Sequence, residues 1–293
     1  MMERLDGMGT RLDEKPLAAI YRGVDVALQT ALENFRCRNK PLYRRVGDVN
    51  WEYLITGSGD ITVLFLHGMA GAWDIWWQQI MALHEHFRTI SVTYPPLPTL
   101  TALEQGILAL LDQEGIEKVH LVGTSLGGYL AQYLFSRQPH RVLRVVLSNT
   151  FPPNPLIAQK HRFTGKWLPF IPETFLLHQF RKHVQRVIYP ASGYDELTRA
   201  MLLEMFQGRI RKAHILARFR CVVEHFPLHV PEMPLLIFES ANDPLIEPDL
   251  RTRLREAYPQ ARVVTFPDAG HFPYLNRAQE YSRQLLTFLK ESD

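Results

Sequence analysis

Residues 118–135 read KVHLVGTSLGGYLAQYLF, and they are the part of the sequence that most clearly indicates the fold. An apolar strand pattern leads directly into Gly123-Thr124-Ser125-Leu126-Gly127, and a helical pattern follows. This order is typical of a nucleophile elbow, a strained turn that holds a serine oxygen clear of the backbone. Glycine is expected at 123 and 127 because a side chain there would collide with the neighbouring strand or helix. The pattern predicts Ser125 as a nucleophile.

A glycine-rich turn between a strand and a helix also occurs in nucleotide-binding α/β folds. Those folds carry a GxGxxG pattern or a P-loop lysine at the turn. Residues 123–128 have neither feature. The elbow is therefore the favoured interpretation.

A serine hydroxyl needs a base to remove its proton and a carboxylate to orient that base. Asp243 follows the apolar run of residues 234–238, and His271 lies in the loop after the strand pattern of residues 262–266. Both positions fall at the carboxyl edge of a parallel sheet. The chain order Ser125, Asp243, His271 also agrees with the order expected at such an edge. The sequence predicts these three as a catalytic triad.

Two other interpretations of the acidic residues stay open. Asn242-Asp243-Pro244 is a good turn sequence, so Asp243 can stabilise a turn as well as belong to a catalytic site. Asp268 is close to His271 in the sequence and is an alternative partner for it. However, a carboxylate in the same loop as His271 would hold the imidazole less firmly than a carboxylate at the end of a strand.

Acyl chemistry at a serine also needs N–H donors for the oxygen on which negative charge develops. One predicted donor is the amide of Leu126, which follows the nucleophile. The other is the amide of Met69, in the loop after the strand LFLHG, where Gly68 ends the strand. His67 in that strand is interpreted as a structural residue that braces the loop.

Strand and helix patterns divide the chain into three predicted parts. Residues 43–150 and 228–293 alternate short apolar runs with helical patterns, which predicts a mostly parallel α/β sheet with helices on both faces. Residues 151–227 carry several prolines and short helical patterns without a convincing strand, which predicts a helical cap insertion. Residues 1–42 are predicted to form an N-terminal amphipathic helical extension.

The apolar spacing from Leu17 to Phe35 predicts one helix with an apolar stripe. Docking of the stripe on the rest of the chain is the favoured interpretation. Pairing with another chain and contact with a membrane remain alternatives.

Composition limits the classes of function. Hydrophobic residues make up 46% of the chain and the net charge is only +3, which argues against disorder and against a nucleic acid partner. Two distant cysteines and histidines without paired ligand spacing give no disulfide framework and no metal site. No transmembrane segment or signal peptide is expected, and we predict a soluble cytoplasmic protein without a cofactor. The sequence leaves its oligomeric state undefined.

With LFLHG, GTSLGG, Asp243 after a late strand and GHFPYL near the end, the chain resembles the α/β-hydrolase superfamily. The segments KVHLVGTSLGGYLAQYLF, YPQARVVTF and GHFPYLNRAQE look more narrowly like the maspardin branch. The run PPLPTLTALEQG, without the aspartate and GxG turn of many such hydrolases, also resembles that branch. The maspardin resemblance implies interaction proteins in which the position of His271 is not histidine, and this chain departs from it there.

The predicted insertion is rich in basic and aromatic residues. Residues 156–220 contain twelve Lys or Arg and four Asp or Glu. A solvated outer face is the favoured interpretation, and attraction for an anionic substrate or an anionic membrane is the alternative. The aromatic residues are expected to form the core of the insertion or to line an acyl pocket. They include Phe163, Trp167, Phe170, Phe175 and Phe180.

These features together predict a serine hydrolase of a carboxylic ester or related acyl bond. Its partner would be a small acyl substrate, either anionic or lipid-like. A non-catalytic binding or adaptor protein like maspardin is the alternative from another class. An acyltransferase on the same fold is a further alternative, because a fold alone does not select a reaction.

Overall fold

A computed structural model describes residues 14–153, 155–160 and 162–291 of the chain. Its centre is an eight-stranded sheet with the order β1-β2-β4-β3-β5-β6-β7-β8. All strands run parallel except β2, which is antiparallel to both of its neighbours. The strands are β1 (Leu42–Val46), β2 (Val49–Thr56), β3 (Thr62–Leu66), β4 (Arg88–Thr93), β5 (Val119–Thr124), β6 (Val142–Ser148), β7 (Leu235–Ser240) and β8 (Arg262–Phe266).

The helices fall into three groups according to their position relative to the strands. The first two precede the sheet, and they are α1 (Glu14–Tyr21) and α2 (Val26–Arg38). Those that follow β3, β4, β5, β7 or β8 are α3 (Trp77–Leu83), α4 (Leu100–Gln113), α5 (Leu126–Arg137), α12 (Pro248–Ala257), α13 (Pro273–Asn276) and α14 (Ala278–Lys290). Those between β6 and β7 are α6 (Pro155–Lys160), α7 (Arg162–Trp167), α8 (Glu173–His183), α9 (Tyr189–Ala191), α10 (Glu196–Glu204) and α11 (Lys212–Val223).

The central strands are buried on both faces, as their continuous apolar runs predict. All five residues of β3 are buried. Because successive side chains of a strand point to opposite faces, Phe65 belongs to the core that contains α3 and α14, whereas Leu64 belongs to the core that contains α4 and α5. The predicted mostly parallel sheet with helices on both faces is confirmed.

The N-terminal helical pattern is interrupted, so the prediction of one helix is wrong. The break lies at Gly23 and Asp25, where the Asp25 side chain accepts hydrogen bonds from the amides of Ala27 and Leu28 and starts α2. Leu32 and Phe35 are nevertheless buried against the main body. Leu17, the first residue of the stripe, has a side chain outside the described set.

An edge strand was missed by the sequence patterns. β1 contains Arg44 and Arg45, and its side chains are mostly exposed. Charged residues on an edge strand interrupt the apolar alternation by which strands are recognised, and they discourage pairing with other chains. The strand therefore becomes evident only through its hairpin with β2.

The segment between β6 and β7 contains only helices and turns in its described residues, which agrees with the sequence patterns. Its basic residues do not all face solvent. Arg218 is buried, and Arg209 forms an ion pair with the buried Asp74 at 2.8 Å. The expectation of a solvated basic outer face is therefore wrong for these two residues. In the described part of the chain, no helix combines the length and the apolar character needed to cross a membrane.

Candidate active site

Ser125 occupies a tight turn between β5 and α5. Its φ of 53° lies in the left-handed region, where a residue with a side chain is strained. Two hydrogen bonds hold the turn: the Ser125 amide donates to Ser148 O at 3.0 Å, and Thr150 Oγ1 donates to Ser125 O at 2.7 Å. These contacts with β6 and the residues after it keep the serine at the carboxyl edge of the sheet.

The two glycines of the elbow have no space for a side chain. A Cβ at Gly123 would lie 2.3 Å from Gly127 O, and a Cβ at Gly127 would lie 2.0 Å from Leu66 O. Both contacts are with backbone, which does not move aside easily. The helix can therefore approach β3 and β5 only when both positions are glycine.

Asp243 and His271 come together from the loops that follow β7 and β8. His271 Nδ1 lies 2.9 and 3.0 Å from the two carboxylate oxygens of Asp243, and both side chains are buried. The amides of Leu245 and Ile246 donate to Asp243 Oδ1 at 2.8 and 3.1 Å. The carboxylate therefore stabilises its own turn and contacts the histidine at the same time.

Burial by itself would raise the pKa of Asp243, because desolvation disfavours the charged form. The opposing charge of His271 and the hydrogen bonds from His271, Asn149 and the Leu245 amide outweigh burial and hold that pKa below its usual range. Asp243 is thus a carboxylate at neutral pH, as a residue that stabilises a charged imidazole needs to be.

Ser125 and His271 line the same cavity, of about 190 Å³. Apolar side chains of the insertion, including Phe180, Ile188 and Phe206, form much of its wall. No hydrogen bond joins Ser125 and His271 among the described residues. Such contacts are often long in the absence of substrate and shorten when it binds.

The loop after β3 and the start of α5 lie next to Ser125. The Leu126 amide is the first in α5 and so has no acceptor within the helix. Met69 lines the cavity, and a Cβ added to Gly68 would lie 3.1 Å from the Ser125 Cβ. The two predicted oxyanion donors therefore belong to segments that meet at the serine.

Arg218 reaches from α11 to this loop and is missing from the sequence prediction. Its Nη1 donates to Met69 O at 2.6 Å and to Gly71 O at 3.1 Å, and its Nη2 donates to Tyr94 O at 3.4 Å. Among the described residues it has no carboxylate partner. Burial lowers its pKa to about 10, so it remains charged at neutral pH. Carbonyl oxygens of the loop therefore stabilise a buried cation.

His67 holds the other end of the same loop. Its Nδ1 lies 2.7 Å from Gly68 O, and its Nε2 accepts a hydrogen bond from the Tyr94 amide at 3.3 Å. Burial and the nearby Arg218 charge keep its pKa well below the ordinary value of 6.5. Its ring nitrogens are engaged by backbone, which fits a bracing residue.

Asp268, the alternative partner considered for His271, pairs with a different residue. Asp268 forms an ion pair with Arg277 at 2.9 Å and is largely exposed. Within the described residues, no group of His, Cys, Asp or Glu is arranged to hold a metal ion.

Asn149 is a second residue that sequence reasoning missed. Its Nδ2 donates to Asp243 Oδ2 at 2.8 Å and to Gly270 O at 3.2 Å. It therefore links the acid loop to the histidine loop. One signal in the sequence indicated this role, because Asn149 directly follows β6 at the sheet edge where Ser125, Asp243 and His271 lie. No comparable signal existed for Arg218, because only packing brings α11 to the loop after β3.

A second cavity, of about 260 Å³, also reaches Ser125 and Met69. Apolar residues such as Phe151 and Val222 line it together with the charged Asp249 and Arg253. Two cavities thus meet at Ser125.

Comparison with known proteins agrees with this architecture. Residues 99–278 match the family described as alpha/beta hydrolase fold. The chain is similar to Maspardin of Danio rerio, at 24% identity over 240 residues, covering 78% of this chain and 74% of that protein.

Two enzymes are similar as well. One is the 2-hydroxy-6-oxononadienedioate/2-hydroxy-6-oxononatrienedioate hydrolase of Paraburkholderia phymatum, with 26% identity over 259 residues, covering 81% of this chain and 90% of that enzyme. The crystal structure of the enol-lactonase of Burkholderia xenovorans matches with a TM-score of 0.71 at 22% identity, covering 85% of this chain and 100% of that chain. The structural likeness supports the fold.

Proposed function

The chain belongs to the alpha/beta hydrolase fold family, and from this premise we propose that it is a serine hydrolase of a carboxylic ester or related acyl bond. In this proposal Ser125 Oγ attacks the carbonyl carbon while His271 takes its proton. Asp243 orients the imidazole, and the amides of Leu126 and Met69 stabilise the oxyanion. His271 then protonates the leaving group, and water hydrolyses the acyl-enzyme.

The observation that carries the proposal is the buried pair of Asp243 and His271 in a cavity shared with Ser125. A carboxylate bound to one imidazole nitrogen leaves the other nitrogen free to act as a base. Similarity to the Paraburkholderia phymatum hydrolase over most of both chains supports hydrolysis as the reaction class. The proposal requires neither a metal nor a cofactor.

The cavity also favours an apolar acyl group. Its lining is almost entirely apolar apart from the reacting residues and His183. Burial of an alkyl chain there would contribute about 0.8 kcal/mol per CH₂ until the cavity is filled. The preferred acyl length therefore reports the size of the cavity.

The test uses an activity probe and a graded series of substrates. Wild type should react with a fluorophosphonate reporter and hydrolyse p-nitrophenyl esters, with a preference for one acyl length. Ser125→Ala should abolish labelling and lower turnover by about 10³-fold or more. Ser58→Ala, in an exposed loop, is the matched control. A folded wild type that shows neither labelling nor turnover would contradict the proposal.

A non-catalytic binding protein is the second candidate. The similarity to maspardin and the missing contact between Ser125 and His271 favour it. It differs from the hydrolase in one measurable respect, since Ser125→Ala would then leave every function of the chain unchanged.

A further inference from the structure

The insertion exposes three large aromatic side chains within a short stretch. Trp167, Phe170 and Phe175 are 62%, 77% and 54% exposed, and the rings of Trp167 and Phe170 meet edge to face at 6.2 Å between centroids. The sequence pattern predicts these residues in the core of the insertion or in the pocket, and that prediction is wrong for all three. Exposed clusters of this kind mark interaction surfaces.

Cationic side chains continue from this cluster along α8. Phe175, Gln179 and Lys182 follow each other at i, i+4 and i+7, so they share one face of the helix. Arg186 lies in the π-helix Val184–Ile188 that follows α8. Lys182 and Arg186 are exposed and form no ion pair with any described residue. Glu173, at the start of α8, is paired with Arg211 at 2.6 Å. The face therefore carries net positive charge.

The same helix borders the apolar cavity. Phe180 and His183 line the cavity of Ser125 and also a surface groove that includes Lys182 and Arg186. His183 is exposed, so the wall that the cavity and the groove share lies at the surface. An apolar chain leaving the cavity would emerge beside the cationic side chains.

We propose that Trp167, Phe170, Phe175, Lys182 and Arg186 together form an aromatic-cationic face that docks on an anionic lipid bilayer. Aromatic rings are favoured at the boundary between head groups and acyl chains, and Lys and Arg are attracted to anionic lipids. A second copy of the chain is a poorer occupant, because two such faces would bring like charges together. The docking does not depend on catalysis, so Ser125→Ala should bind as wild type does.

Trp167 provides a built-in reporter for the test. The other four tryptophans, at 51, 73, 76 and 77, are 5% exposed or less. With vesicles of phosphatidylcholine and 30% phosphatidylserine, the full-length protein should sediment with the lipid. Its fluorescence should shift to the blue and be quenched by brominated acyl chains. Trp167→Phe should still sediment but lose the shift and the quenching.

Two multiple variants test the aromatic and cationic parts separately. Trp167→Ser/Phe170→Ser/Phe175→Ser should weaken vesicle binding at least tenfold, whereas Val26→Ser/Leu42→Ser, at exposed apolar sites elsewhere, should bind normally. Lys182→Glu/Arg186→Glu should lose binding. Its charge-matched control is Lys118→Glu/Lys290→Glu, which changes exposed residues outside the insertion and should bind normally.

Several outcomes would overturn the proposal. These are absence of wild-type binding to the anionic vesicles, equal binding to pure phosphatidylcholine, and equal loss in a control variant. Self-association of the free protein that disappears in the triple serine variant would assign the face to a second copy instead.

Discussion

At the scale of single residues, Asn149 holds the acid of the proposed triad in place. Asn149 donates to Asp243 and spans to the backbone of the histidine loop. It has a φ of 42°, which asparagine tolerates better than most residues. The side chain of Asn149 thus holds the carboxylate in place, and its backbone tolerates the positive φ of the turn after β6.

Asn149→Gly should therefore lower kcat about tenfold with little change in KM, because it removes a hydrogen bond to a charged group and keeps the backbone freedom. The loss should also raise the pKa of Asp243. Steady-state kinetics with the best p-nitrophenyl ester measures the effect. Asn242→Gly is the control, since Asn242 bonds the Gly270 amide and does not contact the carboxylate. Equal losses in the two variants would show a general loop defect instead.

At the scale of elements, buried charges connect the N-terminal helices, the loop after β3 and the insertion. Asp74 Oδ2 accepts from Arg36 of α2 and from Arg209 of the insertion, both at 2.8 Å. Glu204 lies 3.0 Å from Arg36 and accepts a hydrogen bond from Tyr21 of α1. Burial opposes the ionised form of Asp74, but the two guanidinium groups hold its pKa well below the usual value. Polar contacts as well as apolar burial therefore dock the N-terminal helices.

Asp74→Asn should lower the free energy of unfolding by about 3 kcal/mol, because it removes the buried carboxylate that pairs with two partly buried guanidinium groups and leaves them to share Glu204. Urea denaturation provides the measurement. Asp112→Asn breaks an exposed pair with Arg141 and should cost under about 1 kcal/mol. Similar values for the two variants would mean that the buried cluster does not stabilise the packing of these elements.

At the scale of the whole molecule, buried groups with lowered pKa values govern stability against acid. The folded state keeps His67 neutral, whereas the unfolded chain binds a proton there below about pH 6.5. Asp243 and Asp74, whose pKa values are also lowered, stabilise the folded state above their ordinary value and lose that effect as the pH falls below about 4.

The free energy of unfolding should consequently fall as the pH drops below about 6.5, by up to about 1.4 kcal/mol per pH unit from His67. Urea titrations between pH 5 and 8 would detect this slope. His67→Asn should reduce it at some cost in stability at pH 8, and the remaining slope comes from His214 and His183, whose pKa values burial also lowers. His140→Asn, which changes an exposed histidine, should leave it unchanged. A slope that His67→Asn does not alter would assign the pH dependence to other groups.

Sequence patterns were sufficient to predict the buried strands of the sheet and the loops that carry Ser125, Asp243 and His271, but they missed the edge strand β1. Continuous apolar runs defined the buried strands, and local turn chemistry placed Ser125, Asp243 and His271 after β5, β7 and β8. Both signals are local in the chain, since strands and tight turns depend on neighbouring residues. The parallel direction of the strands then brings all three residues to one edge.

Long-range packing sets which distant residues support or surround the site. Arg218 contacts Met69, and Arg36 contacts Asp74, across long stretches of chain, through helices whose packing no local pattern specifies. The same holds for exposure, because a Phe or Trp in a short helix has the same local pattern whether it is covered or not. Trp167 and Phe170 were therefore assigned to the solvent face by packing alone.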